Sequence, residues 1–184
     1  MTDLSPISAL GHAVPQAVRI GTLTITENAG LALASLALRQ GGGAPQPFGL
    51  PLPGPGGWAN AGATSAFWTG PGAWMIEADG RAEDDFASAL KAEAPGCSVA
   101  EQTDGWAVFE IAASVATLEA LLEKLVNIDA SRFVPGSALR TGLEHMSVFL
   151  IRRTEGQLAL WAMRSAAGSA FHAIEAAARR LDVA

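Results

Sequence analysis

The chain has 184 residues, 49% of them apolar, and a net charge of −6. That length accommodates one domain or two small intertwined halves with a substantial core. The acidic balance, without a basic stripe, excludes nucleic acid as an expected partner. Charged residues make up only 16%, against about 25% in ordinary soluble domains, which fits either an alanine-rich composition or apolar surface covered by a partner. The single cysteine, Cys97, excludes an internal disulfide and a cysteine metal cluster. No charged segment followed by an apolar one opens the chain, and no apolar run reaches the roughly 18 residues of a membrane span. The expectation is a soluble cytoplasmic protein.

Residues 1–17, with Pro6 and Pro15, read as an irregular N-terminal arm. Val18 to Ile25 alternate around Ile20, Leu23 and Ile25, which predicts a strand, and Asn28-Ala29-Gly30 a turn. Leucines at 31, 33, 36 and 38 have a mixed period, so strand and helix compete there until Gly41-Gly42-Gly43 ends the run. Residues 41–63, with Pro51, Pro53 and Pro55, predict a long loop of the kind often used for function or covered by a partner. Trp68 and Trp74 flank Gly70-Pro71-Gly72, a strand is predicted over Ala73–Ala78, and Asp79-Gly80 is a turn.

A helix is predicted over 82–93, with Glu83, Asp84 and Asp85 in its first turn opposing the helix dipole. Val99–Gln102 and Trp106–Ile111 flank Asp104-Gly105, a two-residue hairpin signal. Ser114 caps a second helix whose Val115, Leu118, Leu122 and Leu125 share one face. Leu143–Arg152 and Leu158–Met163 predict an antiparallel pair around Glu155-Gly156. A last helix starts at Ser165 or Ser169, with Phe171, Ile174, Ala178 and Leu181 inward and Arg179 and Arg180 near its negative end. Helices alternating with antiparallel pairs predict an α+β fold, organised as a single globular domain (18–184) of two intertwined halves, about 18–98 and 99–184.

Chemistry-bearing patterns are weak. Asp84 and Asp85 are adjacent on a helix, so their side chains diverge by about 100°. His172 and Glu175 have a metal-compatible i, i+3 spacing, without a second such pair to complete a site. His12 and His145 are isolated, and Glu144-His145 falls in a strand-like run that would point them to opposite faces. No nucleophile elbow and no phosphate-binding glycine motif occurs. Arg164, beside the start of the last helix, is a candidate anion contact. Each of the five tryptophans reads first as core packing; Trp58 and Trp68 near the proline-rich loop are the candidates to meet another chain, with Trp74 beside them as a candidate contact.

Several ordered stretches together resemble the gamma subunit of heterotetrameric sarcosine oxidase. They are Leu50-Pro51-Leu52-Pro53, Trp68-Thr69-Gly70-Pro71-Gly72-Ala73-Trp74 and Gln102-Thr103-Asp104-Gly105-Trp106-Ala107. Then follow Leu125-Val126-Asn127-Ile128-Asp129, Phe133-Val134-Pro135-Gly136 with Thr141, and Arg164-Ser165. The resemblance implies a fold similar to the folate-binding domain of aminomethyltransferases, built from two swapped strand–helix subdomains. It implies alpha and beta subunits as partners, in a complex that oxidatively demethylates sarcosine. FAD, FMN, NAD and tetrahydrofolate are implied for the complex, with none bound by this chain and no catalytic residue in it. Aminomethyltransferases carry a catalytic aspartate near the corresponding hairpin, and Asp104 is the nearest acidic residue here. Because Asp104-Gly105 is also an ordinary turn, that role is not carried over. A free-standing tetrahydrofolate- or anion-binding domain is the alternative; it would need a buried carboxylate and basic groups around a deep pocket.

Overall fold

A computed structural model describes residues 6–182, the last of them by its backbone alone. The first strands are β1 (Ala17–Ile20), β2 (Leu23–Glu27) and β3 (Ala32–Ala37), followed by β4 (Trp58–Ala61), β5 (Thr64–Gly70) and β6 (Ala73–Ala78). Helix α1 (Phe86–Glu93) leads to β7 (Ser98–Glu101) and β8 (Trp106–Ala112). Helix α2 (Val115–Leu125) precedes β9 (Ser137–Leu143), β10 (Met146–Thr154) and β11 (Gln157–Met163), and α3 (Ala167–Asp182) follows. The strands form two sheets, ordered β1-β2-β8-β11-β10-β9 and β4-β5-β6-β3-β7. The ladders described residue by residue in both are antiparallel. The fold is therefore α+β, as the alternation of helices with antiparallel pairs predicts.

The two sheets repeat one topology. In one, β3 is followed by the meander β4-β5-β6, then α1, and β7 lies on the free side of β3. In the other, β8 is followed by α2, then the meander β9-β10-β11 and α3, and β2 lies on the free side of β8. Each expected half thus begins with a strand that the other half's sheet takes up: β2 pairs with β8, and β7 pairs with β3. Consequently the 98/99 division bounds neither compact unit. One unit comprises residues 1–29, 105–135 and 141–184, the other 30–104 and 136–140. The reason is the backbone's need for ladder partners, which local sequence does not specify.

In the unit of residues 30–104 and 136–140, Ala32, Ala34, Leu36, Ala66, Trp74 and Ile76 face Phe86, Leu90 and Ala94 around α1. Leu33 and Phe67 point to the opposite face of the sheet and are buried too. Burial on both faces explains the mixed period of residues 31–38: such a strand shows a near-continuous apolar run instead of alternation. The predicted loop over 41–63 is shorter than expected. Trp58–Ala61 is an edge strand, turned by Gly62 at φ 65° into β5. The three prolines precede it, where no ladder donor is lost.

Helix α1 starts at Phe86, four residues later than predicted. Asp85 is its N-cap, its carboxylate accepting the Ser88 N–H at 3.0 Å. Asp84 lies before the helix and pairs with Arg81 at 2.7 Å. That guanidinium stands 5.3 Å from the Phe86 ring, which stacks on Phe48 at 6.0 Å. The Asp104-Gly105 hairpin is corrected. Thr103–Gly105 is a single 3-10 turn, because β7 and β8 belong to different sheets.

In the other unit, the run 18–25 is a hairpin, broken at Gly21 with φ 56°. Phe109, Ile111, Leu158 and Leu160 line the face that carries the helices, with Phe109 and Phe171 rings 5.5 Å apart. Ser114 caps α2 by accepting the Thr117 N–H at 3.2 Å, as predicted. Leu118, Leu121, Leu122 and Leu125 are buried while Val115 is exposed, so Leu121 replaces Val115 on the inner face. The run 143–152 is likewise divided. Glu144 and His145 are the turn between β9 and β10, with Glu144 in the left-handed region at φ 51°. No glycine or asparagine marks that turn.

Candidate functional site

Trp68 and Trp74 lie directly opposite each other in the β5–β6 ladder, on the face toward α1. Gly72 turns the hairpin at φ 66°, where its missing Cβ would lie 3.6 Å from Leu38. Trp74 is 8% exposed, and its indole N–H donates to Pro53 O at 2.7 Å. Trp68 is half-buried and packs on the same cluster. The pair anchors the proline-rich segment to the sheet; the indoles do not form an open cage.

Trp58 stands on the other face of that sheet, opposite Phe67 in the ladder. Its indole N–H donates to Glu77 Oε1 at 3.3 Å, and Glu77 is only 1% exposed. Ser65, directly opposite Glu77 on β5, is buried as well. This constellation of indole and buried carboxylate is the most site-like feature of the unit. Strand alternation carries a signal for Glu77: Trp74 and Ile76 face α1, so Met75 and Glu77 face away from it.

Asp104 is exposed on its 3-10 turn. The carboxylate that organises this corner is Glu101. It accepts the Gln102 and Thr103 N–H groups, the Thr103 hydroxyl and, at 3.3 Å, the Ala87 N–H in the first turn of α1. Partial burial acts to raise its pKa, but the Thr103 hydroxyl and the three amides outweigh it and hold the carboxyl below its ordinary range. Asp85 is held low by its bonds to Ser88. Asp129 is held low chiefly by the Ser131 hydroxyl.

Arg164 sits on the 3-10 turn before α3, and its guanidinium is turned to the N-terminal segment. Nη2 donates to Ile7 O at 2.9 Å and to Ser8 O at 3.4 Å. Glu27, 3% exposed at the end of β2, holds the same segment: Oε1 accepts the Leu10 N–H at 3.0 Å and Oε2 the Gln16 N–H at 3.2 Å.

His172 is exposed and Glu175 pairs with Arg179 at 2.6 Å. No group of three histidine, cysteine or acidic residues able to hold a metal occurs among the described residues. Cys97 is buried and free. No helix among the described residues is long and apolar enough to cross a membrane.

Two ionised residues escaped sequence reasoning. Arg153 reaches across β11 to Glu110 on β8, with contacts of 3.2 and 3.0 Å to its two carboxylate oxygens. Arg152 is 2% exposed; Nη2 donates to Glu155 O, whereas Nε and Nη1 have no hydrogen-bond partner among the described residues.

No protein-family model and no curated protein sequence matches the chain. Solved structures do. A chain of heterotetrameric sarcosine oxidase from Corynebacterium sp. U-96, in complex with pyrrole 2-carboxylate, is similar with a TM-score of 0.73 and 20% sequence identity. The match covers 88% of this chain and 86% of that one. Glycine cleavage system aminomethyltransferase T from Bartonella henselae is similar with a TM-score of 0.56 and 14% identity, over 80% of this chain and 44% of that one. The chain shares the α+β fold of these two proteins and spans less than half of the aminomethyltransferase.

Proposed function

We propose that the chain is a non-catalytic subunit of a heterotetrameric sarcosine oxidase-type complex that oxidatively demethylates sarcosine, with a structural or assembly role. The observation that carries this reading is the fold shared with a sarcosine oxidase chain over 88% of this chain and 86% of that one. The polar groups of the site fit the same reading. Trp58 meets Glu77, Trp74 meets Pro53, and Glu101, Glu27 and Arg164 bind backbone groups of this chain. They serve to order its own segments. In this reading the partners are the alpha and beta subunits, FAD, FMN, NAD and tetrahydrofolate belong to the complex and not to this chain, and the complex is cytoplasmic. Co-expression with candidate alpha and beta chains followed by size-exclusion chromatography tests it: co-elution is expected, and a chain that stays monomeric beside them sinks the proposal.

The similarity to aminomethyltransferase T favours a second reading, a free-standing tetrahydrofolate- or anion-binding domain. Calorimetry separates the two. Clear one-to-one binding of tetrahydrofolate by the isolated chain would reverse the ranking.

A further inference from the structure

The segment 6–16 is fastened differently from the rest of its unit. It contains no strand or helix, and only Ser8 in it is buried. Its internal order comes from its own turn: the Ser8 N–H donates to His12 O at 2.8 Å, the Gly11 N–H to Ser8 O at 3.0 Å, and Ser8 Oγ accepts the His12 N–H at 3.3 Å. One backbone bond ties it to β2, from the Glu27 N–H to Gln16 O at 2.8 Å. Its remaining described hydrogen bonds run to two side chains: Glu27 takes the Leu10 and Gln16 amides, and Arg164 gives to the Ile7 and Ser8 carbonyls.

A segment with its own hydrogen bonds, little buried apolar surface and a few side-chain anchors belongs to the low end of local stability. Beneath it lies Glu27, opposite Phe109 in the ladder, whose ring meets Phe171. A groove of about 600 Å³ runs between the segment and α3, lined by His12, Val14, Gln16, Phe171 and Glu175 among others.

We propose that residues 6–16 form a clasp that opens as one piece while the sheet beneath stays intact, and that its closed state covers the Glu27 carboxylate and engages the Arg164 guanidinium. Both side chains hydrogen-bond the clasp's backbone, Glu27 through its two oxygens and Arg164 through Nη2. Opening releases the Glu27 carboxylate and the Arg164 guanidinium from these backbone groups. The inference concerns this chain alone and does not depend on the proposed complex.

Amide exchange read by NMR on the full chain, combined with carbodiimide labelling of carboxylates, tests it. The Leu10 and Gln16 amides should exchange through one opening, at equal protection, well before those of β8. Glu27 should label in step with them. Arg164→Met, which acts on the far end of the clasp, should speed exchange at both Leu10 and Gln16 by about tenfold and leave β8 unchanged. The proposal is overturned if Arg164→Met changes the Ile7–Ser8 end alone, or if Glu27 labels only when β8 opens. The comparison of Leu10, Gln16 and β8 in the unmutated chain decides the matter even if the variant fails to fold.

Discussion

Trp68 and Trp74 are a cross-strand pair, and only Trp74 carries its indole N–H to a backbone carbonyl, Pro53 O, at 2.7 Å. A large ring buried at 8% exposure and a buried donor with a partner are both lost on truncation. Trp74→Ala should therefore destabilise the chain by about 3–5 kcal/mol, and Trp68→Ala, at a half-buried position, by less. Replacing Trp74 by Phe keeps an aromatic ring and forfeits the hydrogen bond, which alone is worth about 1 kcal/mol. Urea denaturation measures all three; equal losses for Trp68→Ala and Trp74→Ala would show that the ring's burial, as described, does not govern stability.

Arg152 should behave in the opposite sense. Its guanidinium is buried with two nitrogens unpartnered among the described residues, so the charge is desolvated at little return. Arg152→Met fills similar volume without a charge and should leave the chain equally stable or raise its stability by about 1–4 kcal/mol. Thermal unfolding checks this. A large loss of stability in the Met variant would mean that the guanidinium has a stabilising partner.

Acid should weaken the corner between β7 and α1. The Glu101 carboxyl titrates below its ordinary range in the folded chain. Its contribution is therefore complete at neutral pH. It declines once pH falls to the ordinary glutamate range, where the unfolded chain takes up protons first, and is gone below the folded pKa. Asp85 and Asp129 shift in the same direction and add to that acid dependence. In Glu101→Gln, stability at neutral pH should be lower and its fall with acid shallower. Denaturant midpoints measured from pH 7 down to pH 3 give the comparison, and parallel curves for the two proteins would contradict it.

The exchanged strands make a prediction about fragments. Residues 1–97 lack β7, and residues 98–184 lack β1 and β2. Each fragment leaves a ladder edge unpaired, on β3 in one case and β8 in the other. Neither should give a dispersed amide NMR spectrum alone, whereas mixing the two from denaturant should restore one. A folded spectrum from either fragment by itself would refute the dependence on exchange.

Much of the fold is written in local pattern. Ser114 before an apolar helical face is a cap because its hydroxyl reaches the Thr117 amide two positions into the helix. Residues 158–163 and 73–78 read as strands because their composition and flanking turns agree. Where the reading differs, a particular physical cause is present. Residues 31–38 are buried on both sides, which erases alternation, and the turn at Glu144 uses a residue that ordinarily avoids positive φ. Asp104-Gly105 has the composition of a hairpin yet sits where the chain leaves one sheet for the other.

By itself, then, the sequence determined the α+β class, the Ser114 cap, most elements and the order of motifs that resembles the sarcosine oxidase gamma family. All of these depend on contacts within a few residues, or on the linear order of short patterns. Tertiary structure decided which strands complete which sheet, that Trp68 and Trp74 share a face while Trp58 stands on the other, and that Glu27, Glu77 and Arg152 are buried. It also turned Arg164 to the carbonyls of residues 157 and 156 positions earlier in the chain. Pairings over such separations are chosen by satisfying backbone groups and burying surface across the whole chain, and no window of neighbouring residues contains that choice.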